Sequence, residues 1–197
     1  MNHIILAVLW SVYCFLHSFF ASLTIKQKIK MATGADFKWY RISYSLFAFL
    51  TLIALIIYEW LLPTCYMFPT NNVIKICGSI IGGCGLLLMI ICIQKYFLSL
   101  SGIKSFFIES YSNSLLISGV HKYVRHPLYL GTFAFLWGLY LIIPYWSLFI
   151  SNVVITVYTL YGIKLEEQKL ITEFGEQYRK YQEKVPMILP SFKHLNA

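Results

Sequence analysis

Four long apolar runs divide the chain, and most charged residues gather in the segments between them. The runs are Ile4 to Thr24, Ile42 to Leu62 with Glu59 as its one charged residue, Ile76 to Ile93, and Leu128 to Ile163, which holds no Asp, Glu, Lys or Arg. A helix rises 1.5 Å per residue and the hydrocarbon core of a bilayer is ~30 Å thick, so about 20 residues make one crossing. The first three runs each fit one helix. The fourth, residues 128–163, is too long for one, and Pro144 at its middle has no N–H to continue a helical hydrogen-bond ladder. The pattern therefore predicts an all-α integral membrane protein with five transmembrane helices over about 4–24, 42–62, 76–94, 128–143 and 145–163, the last two forming a tight hairpin, within one domain spanning 1–197. The first run has no basic segment ahead of it and is longer than a signal peptide core, so it reads as a mature helix.

Composition agrees with the pattern. With 58% hydrophobic residues, 12% charged and a mean hydropathy of +0.67, the chain lies outside the range of soluble globular domains. The placement of Lys and Arg adds orientation. Lys26, Lys28, Lys30, Lys38 and Arg41 follow the first run, and Lys95, Lys104, Lys122 and Arg125 precede the fourth. The tail adds Lys164, Lys169, Arg179, Lys180, Lys184 and Lys193, whereas the opposite connections hold only Lys75. The positive-inside rule then puts the N-terminus outside and the C-terminus in the cytoplasm, with the inner or plasma membrane as the expected location. This asymmetry accounts for the net charge of +8 without nucleic acid as a partner. Cys14, Cys65, Cys77, Cys84 and Cys92 show no metal-ligand spacing and suit apolar packing, although Cys65 and Cys77, both near the outer face, have a disulfide open to them.

The polar residues that remain are informative by position. The hairpin returns the chain to the side it left, so Arg125, His126 and Pro127 at one foot meet Glu166 and Glu167 at the other. Taken singly, the first three read as interfacial anchors and a helix start. The two glutamates, however, face an anionic surface and the negative end of a helix, so they call for a cationic partner: Arg125 or a cationic ligand. His17 lies ~10 Å inside the first span, where an ionisable group is a functional candidate, with a hydrogen bond to a neighbouring helix as the structural alternative. Gly78 and Gly82 have the GxxxG spacing of close helix packing. In the tail, Leu170, Phe174, Tyr178, Tyr181 and Val185 fall at i, i+4, i+8, i+11 and i+15, one stripe of a cytoplasmic amphipathic helix. That helix either lies on the membrane or folds over the feet of the hairpin as a lid.

RHPLYLG, the EE pair after the hairpin and FGEQYRKYQEKVPMILP together resemble the membrane-embedded S-adenosylmethionine-dependent methyltransferases, the group of isoprenylcysteine carboxyl methyltransferase and the phospholipid methyltransferases. LHSFFAS, KWYRISY and KYFLSLSGIKSFF are similar to the methanethiol S-methyltransferase branch, with Leu98 and Ser99 where that branch has an acidic residue. The resemblance implies an S-adenosylmethionine pocket at the cytoplasmic face, formed by about 95–131 and 164–190. Its cofactor-binding residues would be Gly119, His121, Tyr123, Arg125, His126, Pro127, Tyr129, Gly131, Glu166 and Glu167. The carboxylates suit the sulfonium and ammonium, Arg125 suits the carboxylate, Tyr123 and Tyr129 suit the adenine or sulfonium, and Gly131 admits close approach. His17, Arg125 and His126 would be catalytic, with either imidazole as base for a thiol. The implied function is methyl transfer to a small or lipophilic thiol, with membrane lipid as a second partner. Methylation of an isoprenylcysteine carboxylate or phospholipid amine, and a non-catalytic membrane binding role, are the alternatives.

Overall fold

The computed structural model describes residues 2–33, 37–100, 115 and 117–190. In chain order these form α1 (Asn2–Ala21), α2 (Leu23–Thr33), α3 (Phe37–Leu61), α4 (Asn72–Leu100), a 3-10 turn (Gly119–Lys122), α5 (Pro127–Ile142), α6 (Trp146–Phe174) and α7 (Glu176–Lys184). Among the described residues the β pairing amounts to one isolated bridge, Tyr66 with Tyr145. Four helices, α1, α3, α4 and α6, are long and apolar enough to cross a membrane. α5 is apolar throughout but has 16 residues, a rise of ~24 Å, short of a full hydrocarbon core. The segment after the first span, expected as a plain connection, contains α2; Ser22 breaks it from α1 and its hydroxyl accepts from the Ile25 N–H at 3.4 Å.

The residues divide into two compact units. The first holds α1 to α3, the connection to Pro69, and the start of α6 through Ile155. Its core is Leu6 and Trp10 of α1 with Leu55 and Leu62, wrapped by Leu52, Tyr58, Val154 and Ile155. Glu59, the lone charge of the second run, is explained here: one carboxylate oxygen accepts from Trp10 Nε1 at 3.1 Å and the other from the Ser151 hydroxyl at 2.7 Å. Those bonds offset the cost of taking a carboxyl group out of water. Pro144 interrupts the last apolar run as its chemistry requires. The turn around it is tied to the chain after α3: the Met67 N–H donates to the Pro144 carbonyl at 2.7 Å, Trp146 N–H to Cys65 O at 3.2 Å, and Ser147 N–H to Thr64 Oγ1 at 3.3 Å.

The second unit holds α4 to Lys95, the segment that ends with α5, and α6 from Thr156 onward with the tail. Asn71 starts α4 by accepting the Ile74 N–H on Oδ1 at 2.8 Å. The GxxxG spacing packs helices, as expected: a Cβ on Gly138 of α5 would lie 2.6 Å from Gly82 Cα and 2.8 Å from the Gly78 carbonyl oxygen of α4. Trp137 Nε1 donates to Thr156 Oγ1 at 3.2 Å, joining α5 to α6. The tail corrects the single amphipathic helix read from the stripe. α6 runs on to Phe174, Gly175 takes φ +54, and α7 sets out in a new direction, leaving Tyr178 and Val185 buried. A side chain at position 175 would resist that backbone, which is why the stripe changes helix there. All five cysteines, Cys65 and Cys77 included, are free thiols.

Candidate cofactor site

The backbone before α5 is fastened to the end of the tail. Gly119 begins the 3-10 turn at φ 66, a left-handed conformation that suits glycine. Tyr181 donates its hydroxyl to the His121 carbonyl at 2.6 Å. Arg125 N–H donates to Pro186 O at 2.9 Å, and His126 N–H to Met187 O at 3.1 Å. YVRHP and VPM, far apart in sequence, are thus joined through main-chain atoms. Pro127 is buried and opens α5, where its missing N–H leaves nothing unsatisfied.

Side chains then form a knot around Glu167. Arg125 Nε donates to Glu167 Oε1 at 2.7 Å, His126 Nε2 lies 3.2 Å from the same oxygen, and the Tyr178 hydroxyl donates to it at 3.4 Å. Gln182 Nε2 donates to Oε2 at 3.0 Å. Arg125 also reaches past the carboxylate: Nη1 donates to the Gln182 carbonyl at 3.1 Å and the Val185 carbonyl at 2.5 Å, so a cation caps the end of α7 where helix carbonyls lack partners. The side chains of Arg125 and Glu167 are 11% and 14% exposed. Burial, with the negative charge of Glu167 beside it, pushes the Tyr178 phenol well above its ordinary pKa and keeps it a neutral donor.

Glu166, one residue earlier on α6, has a different environment. Its side chain is 47% exposed, and its Oε2 accepts from the Tyr129 hydroxyl at 3.1 Å. His126 lies between the two acids: Nδ1 is 3.9 Å from Glu166 Oε2, and its ring tilts against Tyr129 with centroids 5.7 Å apart. Because a carboxylate can accept about four hydrogen bonds, Glu166 keeps capacity for a ligand that Glu167 has committed to the fold. Tyr123 stands nearby in sequence, 44% exposed.

The structure thus brings Arg125, His126, Pro127, Tyr129, Glu166 and Glu167 together, with Gly119 and His121 on the segment leading in. Two of the expected ligand groups have protein partners in this structure. The guanidinium of Arg125, expected to hold a ligand carboxylate, turns Nε and Nη1 onto Glu167 and α7. The room left by Gly131, expected for a ligand, is filled by α4: a Cβ there would lie 2.9 Å from Gly85 O and from Met89 Cγ. His17 belongs to the first unit, where the Tyr44 hydroxyl donates to its carbonyl at 3.0 Å and lies 2.9 Å from Nδ1. Of the segment 95–131, residues 101–114 and 116 lie outside the described residues. Tyr178, which the sequence placed only in a stripe, and Gln182, which it did not single out, also bond to Glu167. Their signal was spacing, since both fall on the face of the tail that returns to Glu167.

A family model described as phospholipid methyltransferase matches residues 73–177, more than half of the chain. The chain belongs to that family. The matched residues include the α4–α5 contact, the RHP segment, the glutamate pair and the start of α7. Among curated proteins, the family member is 41% identical over 71 residues to methanethiol S-methyltransferase 1 of Bradyrhizobium diazoefficiens, covering 36% of this chain and 24% of that protein. It is 41% identical over 70 residues to methanethiol S-methyltransferase of Crocosphaera subtropica, covering 36% and 27%. Protein-S-isoprenylcysteine O-methyltransferase of Schizosaccharomyces pombe is 32% identical over 77 residues, covering 39% and 33%. The matched segment spans between a quarter and a third of the length of these relatives. No solved structure matches. Family membership and the apolar helices make the chain an integral membrane protein whose family implies a methyl donor.

Proposed function

We propose that this chain is an S-adenosylmethionine-dependent methyltransferase that works at the cytoplasmic membrane face on a small or lipophilic thiol. The observation that carries the reading is Glu166: a half-exposed carboxylate beside the rings of Tyr129 and His126, next to a buried ion pair that fixes its surroundings. A carboxylate and an aromatic face are what a sulfonium and an ammonium require. When bound, S-adenosylmethionine supplies an electrophilic methyl group. Glu166 then binds the cationic end, Tyr129 orients that carboxylate through its hydroxyl, and Arg125 with Glu167 holds α7 in place so that water is kept from the inner side. A thiol attacks as the thiolate, so its proton needs an acceptor. We assign that role to His126, whose Nδ1 faces the Glu166 side.

The choice of a thiol rests on the names of the first relatives, methanethiol S-methyltransferases. The isoprenylcysteine O-methyltransferase relative supports a carboxylate acceptor as second reading. Incubating the purified chain with methyl-labelled S-adenosylmethionine and, separately, an alkanethiol, a farnesylcysteine derivative and a phospholipid amine separates these. The account expects thioether product, and label only in the ester or the methylated amine would replace the thiol reading. The same proposal has five crossings, α5 being the fourth, with the N-terminus outside. In a chain with Cys65 and Cys77 replaced by serine, a cysteine added after Leu195 should react with an impermeant maleimide only after the cells are opened.

A further inference from the structure

In the first unit the exposed side of α3 is marked at both ends. Ile42, Leu46, Phe49, Ile53 and Ile57 are exposed and fall on one stripe of the helix, and Trp39 and Trp60, 66% and 83% exposed, extend that stripe at its two ends. From Trp39 to Trp60 the helix rises ~32 Å, which matches the ~30 Å of a hydrocarbon core. Tryptophan favours the two borders of that core, where its ring meets apolar chains and its N–H meets water or head groups. The pair therefore sets the depth of α3, with Trp39 at one border.

α2 lies at that border. The Tyr40 hydroxyl donates to the Phe20 carbonyl at 2.8 Å, so the last turn of α1 is level with the first turn of α3. Ser22, whose hydroxyl donates to Phe19 O at 2.7 Å, interrupts the helix there, and α2 sets out from Leu23 packed against both α1 and α3. Its sides differ. Ile25 and Ile29 are half-buried, whereas Gln27, Lys28 and Met31 are exposed, Met31 by 79%. α2 carries Lys26, Lys28 and Lys30 and no acid, and the stretch from Lys26 to Arg41 sets five basic residues against Asp36. Lysines in a plain connection would only orient the neighbouring spans. Here an exposed lysine stands beside an exposed apolar side chain on a helix held level with an interfacial tryptophan, which offers charge to head groups and a thioether to the acyl chains beneath them.

We propose that α2 is a docking surface for anionic phospholipid, with Lys28 facing the phosphodiester heads, Lys26 and Lys30 adding to its field, and Met31 entering the chain region beside Trp39. A zwitterionic head carries its own cation next to the phosphate and attracts the lysines less. An acidic head without that cation gains roughly fivefold in occupancy for each lysine near the surface. The surface lies wholly in the first unit and stands independently of the methyl-transfer reading.

The test uses the full chain in phosphatidylcholine nanodiscs that contain a small fraction of a photoreactive probe. The probe is either phosphatidylglycerol or phosphatidylcholine, each with a diazirine near the glycerol end of one acyl chain. Mass spectrometry compares labelling of α2 with labelling around Trp60, where residues 42–74 hold no Lys or Arg. On α2 the glycerol lipid should label about fivefold more than the choline lipid or better, whereas around Trp60 the choline lipid should label as much or more. Lys28→Gln should lower the α2 preference by roughly fivefold, and ~0.5 M salt should lower it in the unaltered chain, because the contact is open to solvent. The comparison on the unaltered chain decides the matter even where the variant fails to fold. Equal labelling of α2 by the two lipids, labelling by neither, an equal preference around Trp60, or a preference that survives both Lys28→Gln and salt would overturn the surface. Displacement by soluble glycerol 3-phosphate would also overturn it, in favour of a phosphate site.

Discussion

Glu167→Gln keeps the size of the side chain, removes its charge and replaces one acceptor oxygen with an amide. In the structure that carboxylate faces four donors, from Arg125, His126, Tyr178 and Gln182, with the Arg125–Glu167 pair almost wholly buried. Removing one member of a buried ion pair costs ~3 to 5 kcal/mol, because the remaining charge is left without its partner. Arg125 keeps the Gln182 and Val185 carbonyls, and glutamine still offers one acceptor, so the lower figure applies: about 3 kcal/mol, or roughly a hundredfold in the opening equilibrium of the tail. α7 carries Arg179, Lys180 and Lys184, so limited trypsin digestion in detergent reads that opening directly where opening and closing are fast. Cleavage within α7 should accelerate by about that factor, whereas Glu166→Gln, half-exposed and outside the knot, should digest like the parent chain. A Glu167→Gln protein with a parental digestion rate and abolished cofactor binding would refute the reasoning and make Glu167 a direct ligand.

Gly138→Ala should destabilise the chain by ~1 to 3 kcal/mol or more, since its Cβ meets the Gly82 backbone, while Gly83→Ala, with nothing within 4 Å, should leave thermal unfolding in detergent unchanged. Glu59→Leu should cost about 1 to 3 kcal/mol by leaving the Trp10 indole N–H without its acceptor, and Glu59→Gln should recover most of that in the same melt. His126→Gln, which retains a donor toward Glu167, should lower thiol turnover by roughly 10² to 10⁴ while leaving the affinity for the methyl donor nearly unchanged. Parental turnover in that variant, measured with saturating donor, would assign the base elsewhere or favour a carboxylate acceptor, which needs none.

The helices were legible because their information is local. Run length and the absence of charge marked the apolar helices, Pro144 marked the turn, and Gly78 with Gly82 marked a helix contact. The meeting of Arg125 and His126 with the glutamate pair followed from the hairpin alone. What stayed hidden needed coordinates of more than one element. Nothing in the sequence says that Arg125 points at the end of α7 instead of a ligand, since a guanidinium satisfies either. Gly131 reads equally as room for a cofactor or for a helix, and Gly85 and Met89 decide it. The i, i+4 stripe of the tail continued across Gly175 as if the helix did, because periodicity does not register one left-handed residue. The two acids, adjacent and identical in type, differ in burial and partners: Glu167 turns into the knot, and Glu166, half-exposed, meets Tyr129.

Calorimetric titration of the purified, folded chain with S-adenosylmethionine tests the central claim most directly. Saturable binding to one site is expected, weakened in Glu166→Gln because the half-exposed carboxylate loses its charge toward the cationic end of the ligand, with the melting temperature of that variant unchanged. Absence of binding heat at several temperatures in a chain that melts cooperatively, or binding that Glu166→Gln leaves intact, would contradict it.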